Sequence, residues 1–157
     1  MKKINWMIAF MVLVSCGSQK MTPLNQENKS LFAEHIWELQ SLGDRNISEE
    51  GISNGKNLPF IEFRLADKQV MGNDGCNQIM ASIEQLGDDE LKLGPIMGTK
   101  MACMDMELPD LFHAAMANIR SYKLTHEKDK SDLLHLYDSH QQEILVFILK
   151  AESIPKS

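Results

Sequence analysis

Gly72-Asn73-Asp74-Gly75-Cys76-Asn77 and Met97-Gly98-Thr99-Lys100-Met101-Ala102-Cys103 are two short runs that each set a cysteine beside backbone-bending residues. The chain has three cysteines, and the third is Cys16. In an exported protein the two remote thiols are expected to pair, because oxidising compartments preserve disulfides. They stand 27 positions apart, a loop for which the chain-entropy model assigns roughly 3.5 kcal/mol of stability. Gly72 and Gly75 are expected to supply the positive φ of a tight turn or bulge next to the bond. Asn77 and Thr99 are then hydrogen-bonding partners of that turn, while Asp74, a lone acid, is expected to be solvated.

Export is written into the N-terminus. Lys2-Lys3 is followed by an apolar run from Ile4 to Val14 and by Leu13-Val14-Ser15-Cys16, the Leu-x-small-Cys arrangement that resembles a lipoprotein processing site. Residues 1–15 read as the signal peptide, too short in their apolar part to span a bilayer. Cys16 would carry a diacylglycerol on sulfur and an amide-linked acyl chain such as palmitate, and several chains anchor stably where one binds marginally. Gly17, rather than aspartate, follows the cysteine, which in enteric-type sorting implies the outer membrane, facing the periplasm. Removing residues 1–15 takes the formal charge from −6 to −8, which disfavours nucleic acid as a partner.

Residues 16–30 are polar and read as a flexible tether. From residue 31 to 151 the pattern is that of one domain, and residues 152–157 form a tail. Trp37 and Leu39 alternate with Glu38 and Gln40, Ile61 and Phe63 with Glu62 and Arg64, and Ile79, Ala81 and Ile83 with polar residues, all with the period of half-buried strands. Asp67-Lys68 and Gly87-Asp88-Asp89 are turns. Residues 43–57 read as a long exposed loop. Leu108, Leu111, Phe112, Ala115, Met116 and Ile119 form the apolar stripe of an amphipathic helix over residues 106–121, with Asp105 as cap and Pro109 in its first turn. Strands at residues 122–127, 133–137 and 143–150 follow, the last apolar on both faces and so placed centrally. The expected fold is α+β, mainly β: an antiparallel, barrel-like sheet of about eight strands with one helix.

The pattern Gly-x-x-Gly-Cys-Asn (72–77), then Met-x-Thr-x-Met-Ala-Cys (97–103), then Glu107 before an apolar helix, resembles the META domain of the HslJ group of bacterial envelope proteins. A Trp-x-Leu start at Trp37 and Leu39 extends the likeness over about residues 34–150. The resemblance implies an envelope or stress-associated protein of poorly defined activity.

Chemistry is sparse. The histidines lack zinc spacing, nothing resembles a nucleophile elbow, and no enzyme activity or cofactor is expected. His135 reads as a paired structural histidine. Met97, Met101, Met104 and Met106 cluster around Cys103 with His113 onward, and soft thioether, thiolate and imidazole ligands, here Met97, Met101, Met104 and His113, would suit Cu(I). The simpler reading of these methionines is flexible core filling. A thiol-disulfide redox role is the other alternative, favoured by Lys100 and a helix start near Cys103 and opposed by the absence of a Cys-x-x-Cys motif. The leading expectation is a lipid-anchored, non-enzymatic envelope-maintenance module, held to the membrane by Cys16, that binds an envelope protein or a small ligand. Recognition would use the surface around Gly72, Asp74, Gly75, Asn77 and Thr99.

Overall fold

Alternating burial organises the strands. The computed structural model describes residues 23–33, 35–49, 57–126 and 131–150. Residues 1–15, read above as a signal peptide, Cys16, and residues 152–157, read as a tail, lie outside them. β1 (Ile36–Leu42) buries Trp37 and Leu39, β3 (Phe60–Arg64) buries Ile61 and Phe63, and β4 (Gln69–Asn73) buries Val70. β5 (Gln78–Leu86), β6 (Leu91–Leu93), β8 (Ser121–Thr125), β9 (Leu133–Tyr137) and β10 (Glu143–Lys150) complete one antiparallel path, β6-β5-β4-β3-β1-β10-β9-β8. A bridge between Glu90 and Ser121, with Tyr122 N donating to Asp89 O at 2.9 Å and Leu91 N to Arg120 O at 3.2 Å, brings the two ends of the path together. The result is a nearly closed, barrel-like sheet of eight strands. The last strand lies in the middle, between β1 and β9, and buries Leu145, Val146 and Phe147 in succession.

Two helices each send a phenylalanine into the interior. α1 (Gln26–Phe32) places the Phe32 ring 4.5 Å from that of Phe63 and 5.0 Å from that of Tyr122. α2 (Glu107–Ala117) places Phe112 edge-on to Phe147 at 6.2 Å. Tilted and edge-to-face pairs at these distances add specificity to the area buried.

Four expectations are corrected. The tether expected over 16–30 gives way near its end to α1, because Asn25 caps the helix by accepting from Asn28 N at 2.8 Å and Phe32 is fully buried. Within 43–57, Gly43 (φ +54) opens a two-residue hairpin into β2 (Arg45–Asn46), and Ile47 behind it is buried, so this segment is not simply exposed. Residues 50–56 lie outside the described ones. α2 ends at Ala117 rather than near 121: Asn118 Nδ2 donates to Ala114 O at 2.8 Å, Asn118 N to Ala115 O at 3.0 Å and the Arg120 guanidinium to Ala117 O at 3.3 Å, closing the C-terminal carbonyls before β8 starts. Leu111, expected on the apolar stripe, is 39% exposed.

Tyr122 links α1 to the sheet. Its hydroxyl donates to Gly87 O at 2.7 Å and accepts from Asn28 Nδ2 at 3.3 Å. Burial pushes the phenol up to about 12, with Asp88 and Asp89 adding to the effect and the Asn28 hydrogen bond opposing it. Below pH 10 the phenol is neutral in both folded and unfolded chains, and its contribution to stability is complete. Between about pH 10 and 12 the unfolded chain ionises first, so stability falls as pH rises. Urea unfolding from pH 9 to 12 is expected to show this decline, and a flatter one in Tyr122→Phe; equal slopes would remove Tyr122 from the account.

Candidate functional site

The corner between β4 and β5 is built from side chains that cap backbone. Asn73 Oδ1 accepts from Gly75 N at 2.8 Å, and Asp74 Oδ1 accepts from Cys76 N at 2.8 Å and from Asn77 N. These are successive Asx turns, in which a short polar side chain substitutes for a backbone acceptor. Gly75, at φ +96, takes the left-handed position the corner requires. The second segment is fastened to the first through Asn77, whose Oδ1 accepts from Met101 N at 2.7 Å and from Thr99 Oγ1 at 3.1 Å. Thr99 Oγ1 in turn accepts from Gln78 N at 3.2 Å. A two-residue strand, β7 (Met97–Gly98), pairs with Met80 and Ile79 of β5, and Gly98 lets the backbone lie close to Gln78 O. The disulfide joins Cys76 to Cys103, with Cα atoms 6.1 Å apart.

α2 completes the site. Asp105 Oδ1 accepts from Glu107 N at 3.0 Å just before the helix, and Pro109 falls in the first turn, where a missing N–H costs nothing. Two turns on, His113 Nε2 lies 2.9 Å from Asp74 Oδ2. Asp74 is only 1% exposed, so both carboxylate oxygens are satisfied inside the protein, as a buried acid requires. The His113 side chain is 35% exposed and lines a cleft of about 390 Å³ with Asp74, Thr99, Lys100, Met101 and Asp110. Met101, which lines it, is 60% exposed, and along the same segment Met97 is 57% and Met104 108% exposed. With Leu111, these are the exposed large apolar side chains among the described residues.

The family model of the META domain matches residues 30–152. The chain belongs to the META domain family. A solved structure titled "NMR structure of the protein from Burkholderia xenovorans" superposes with a TM-score of 0.59 at 17% identity, covering 95% of this chain and 100% of that one. At that identity the likeness concerns the fold. No curated protein matches the chain.

In this META domain the paired cysteines, Asn77 and Thr99 meet as the two sequence runs suggested. Gly75 takes positive φ, but Gly72 does not belong to the turn. It sits inside β4 opposite Ile61, where a Cβ would stand 2.0 Å from Phe60 O; it is there for the approach of β3. Asp74, expected to be solvated, is the buried centre of the corner, because two backbone donors and an imidazole converge on it. Its pairing with His113 was not anticipated; the Asn-Asp-Gly run was the available signal for a capped corner, though not for the histidine. The exposed methionines are not core filling. Of the proposed copper ligands, Met101 and His113 line one cleft, whose lining includes neither Met97 nor Met104; the disulfide removes Cys103 as a thiolate, and His113 Nε2 is turned to Asp74. Among the described residues, no group of three or more His, Cys, Asp or Glu could hold a metal ion.

A second polar cluster lies across β8, β9 and β10. His135 Nδ1 is 2.7 Å from Glu143 Oε2, His135 Nε2 is 3.0 Å from Thr125 Oγ1, and Tyr137 donates to Glu143 Oε2 at 3.3 Å. It pins three strands together through one imidazole, the structural role expected of His135.

Proposed function

We propose that this META domain is a lipid-anchored, non-enzymatic envelope module, carried on Cys16 at the outer membrane and facing the periplasm, that holds exposed apolar segments of other envelope polypeptides. The observation that carries this reading is the placement of Met97, Met101 and Met104, all more than half exposed, on the segment clasped beside the His113 cleft. Three exposed apolar side chains within one eight-residue segment point to an interaction surface. Thioethers are flexible and polarisable, so a methionine surface repacks around many different apolar partners rather than selecting one. That suits a stress-associated role, in which the bound segment is whatever has come unfolded. The clasp and the Asn77 hydrogen bonds fix the backbone beneath the patch, which leaves the adaptation to side chains.

The test uses reduced, carbamidomethylated lactalbumin, a polypeptide that cannot refold, in a fluorescence anisotropy titration at 0.15 M salt to screen net charge. The wild-type protein is expected to bind it, and Met101→Gln with Met104→Gln to bind about tenfold more weakly, since burial of one methionine side chain is worth about 1.5–3 kcal/mol. Equal affinity in that variant, or no binding by the wild type, would overturn the reading.

A further inference from the structure

We propose that Met97, Met101 and Met104 form a two-electron oxidation site for hydroperoxides, and that their conversion to sulfoxides switches the binding patch off. The switch rests on the binding role proposed above; the oxidation site does not. Two observations and one rule of reactivity converge on it. The described thiols, Cys76 and Cys103, are already joined, so they offer no thiolate to intercept a peroxide. The next most nucleophilic sulfurs are thioethers, whose oxidation follows their accessibility. Accessibility differs sharply along the chain: Met104 is 108% exposed and Met97 and Met101 more than half, whereas Met71, Met80 and Met106 are partly covered and Met116 is 1% exposed on the inner face of α2.

In the reaction the thioether sulfur attacks one peroxide oxygen, an S–O bond forms and the O–O bond breaks. Sulfur gives up two electrons, and the other peroxide oxygen leaves with its proton shift as water or an alcohol. No other group of the protein is consumed. Each sulfoxide turns an apolar, flexible side chain into a polar, chiral one. Three such changes on a surface whose exposed apolar character comes from these residues and Leu111 would leave little for an apolar segment to bury against. The backbone beneath is held by Asn77, Thr99 and the disulfide, none of which the reaction touches.

The experiment treats the full mature protein with hydrogen peroxide and follows each methionine by peptide mapping. Met97, Met101 and Met104 are expected to gain oxygen about tenfold or more faster than Met116, and ahead of Met71 and Met80. Comparable rates at Met116, with the protein still folded, would overturn the site. The mapped sulfoxide form is then titrated with carbamidomethylated lactalbumin. Binding weakened about fivefold or more, and restored by a pair of methionine sulfoxide reductases acting on both epimers, supports the switch. Unchanged binding after selective oxidation overturns the switch and leaves the binding role standing. If the unoxidised protein does not bind the polypeptide, the binding role and its switch fall together, and the peptide map alone decides the oxidation site.

Discussion

Replacing Cys76 and Cys103 together by alanine is expected to lower the unfolding free energy by about 3.5 kcal/mol while leaving the barrel intact. For a domain of this size that corresponds to a fall in melting temperature of about 10–15 °C. The fold is expected to survive because the segment has other attachments. Asn77 holds Thr99 and Met101, β7 pairs with β5, and Phe112 and Met116 of α2 are buried independently of the bond. What is lost is the restriction the bond places on the unfolded chain, together with the covalent hold on the segment that carries Met97, Met101 and Met104. Circular dichroism during heating checks the first loss. A shift of less than a few degrees would mean that the bond adds nothing to the hydrogen bonds beside it.

Gly72→Ala is the second large effect. One methyl group added there would meet Phe60 O at 2.0 Å and Ile61 Cα at 3.0 Å, both backbone atoms in the paired strand. Neither can rotate away, as a side chain would. The strands must separate in the middle of a ladder that runs from Phe60↔Asn73 to Arg64↔Gln69. The expected cost is about 3 kcal/mol, at the upper end of what overpacking usually brings. Gly75→Ala would be strained for a different reason, its positive φ, and Gly43→Ala likewise. Urea denaturation of Gly72→Ala measures the first of these, and a loss under 1 kcal/mol would show that β3 and β4 have slack that their register does not suggest.

Much of the architecture was legible because strands advertise themselves with a period of two. Trp37 and Leu39, Ile61 and Phe63, Ile79 and Ala81 each alternate with polar neighbours, and all six are buried. Phe112 and Met116 were equally plain on the helix. The failures have physical causes. α1 contains five polar residues before Leu31 and Phe32, so composition reads it as tether; it is helical where Phe32 docks among Trp37, Phe63 and Tyr122, a contact across the fold. Ile47 is buried after a hairpin only two residues deep, too short to show a period. The Asp74–His113 pair joins positions 39 apart in sequence, and no local pattern encodes such a meeting. The methionines around Cys103 were visible as a cluster, yet methionine is compatible with both core and surface, and only their exposure separates the two.

The proposed role requires export: an oxidising compartment in which the Cys76–Cys103 bond can form, and a lipid on Cys16 that would hold the domain at the membrane. Mass spectrometry of the protein isolated from cell envelopes with free thiols alkylated on lysis tests both at once. The expected result is an N-terminal peptide that begins at a diacylglyceryl-modified Cys16, and a linked Cys76–Cys103 peptide pair that takes up the alkylating reagent only after reduction. A chain that still begins at Met1, with Cys76 and Cys103 both alkylated before reduction, would contradict it.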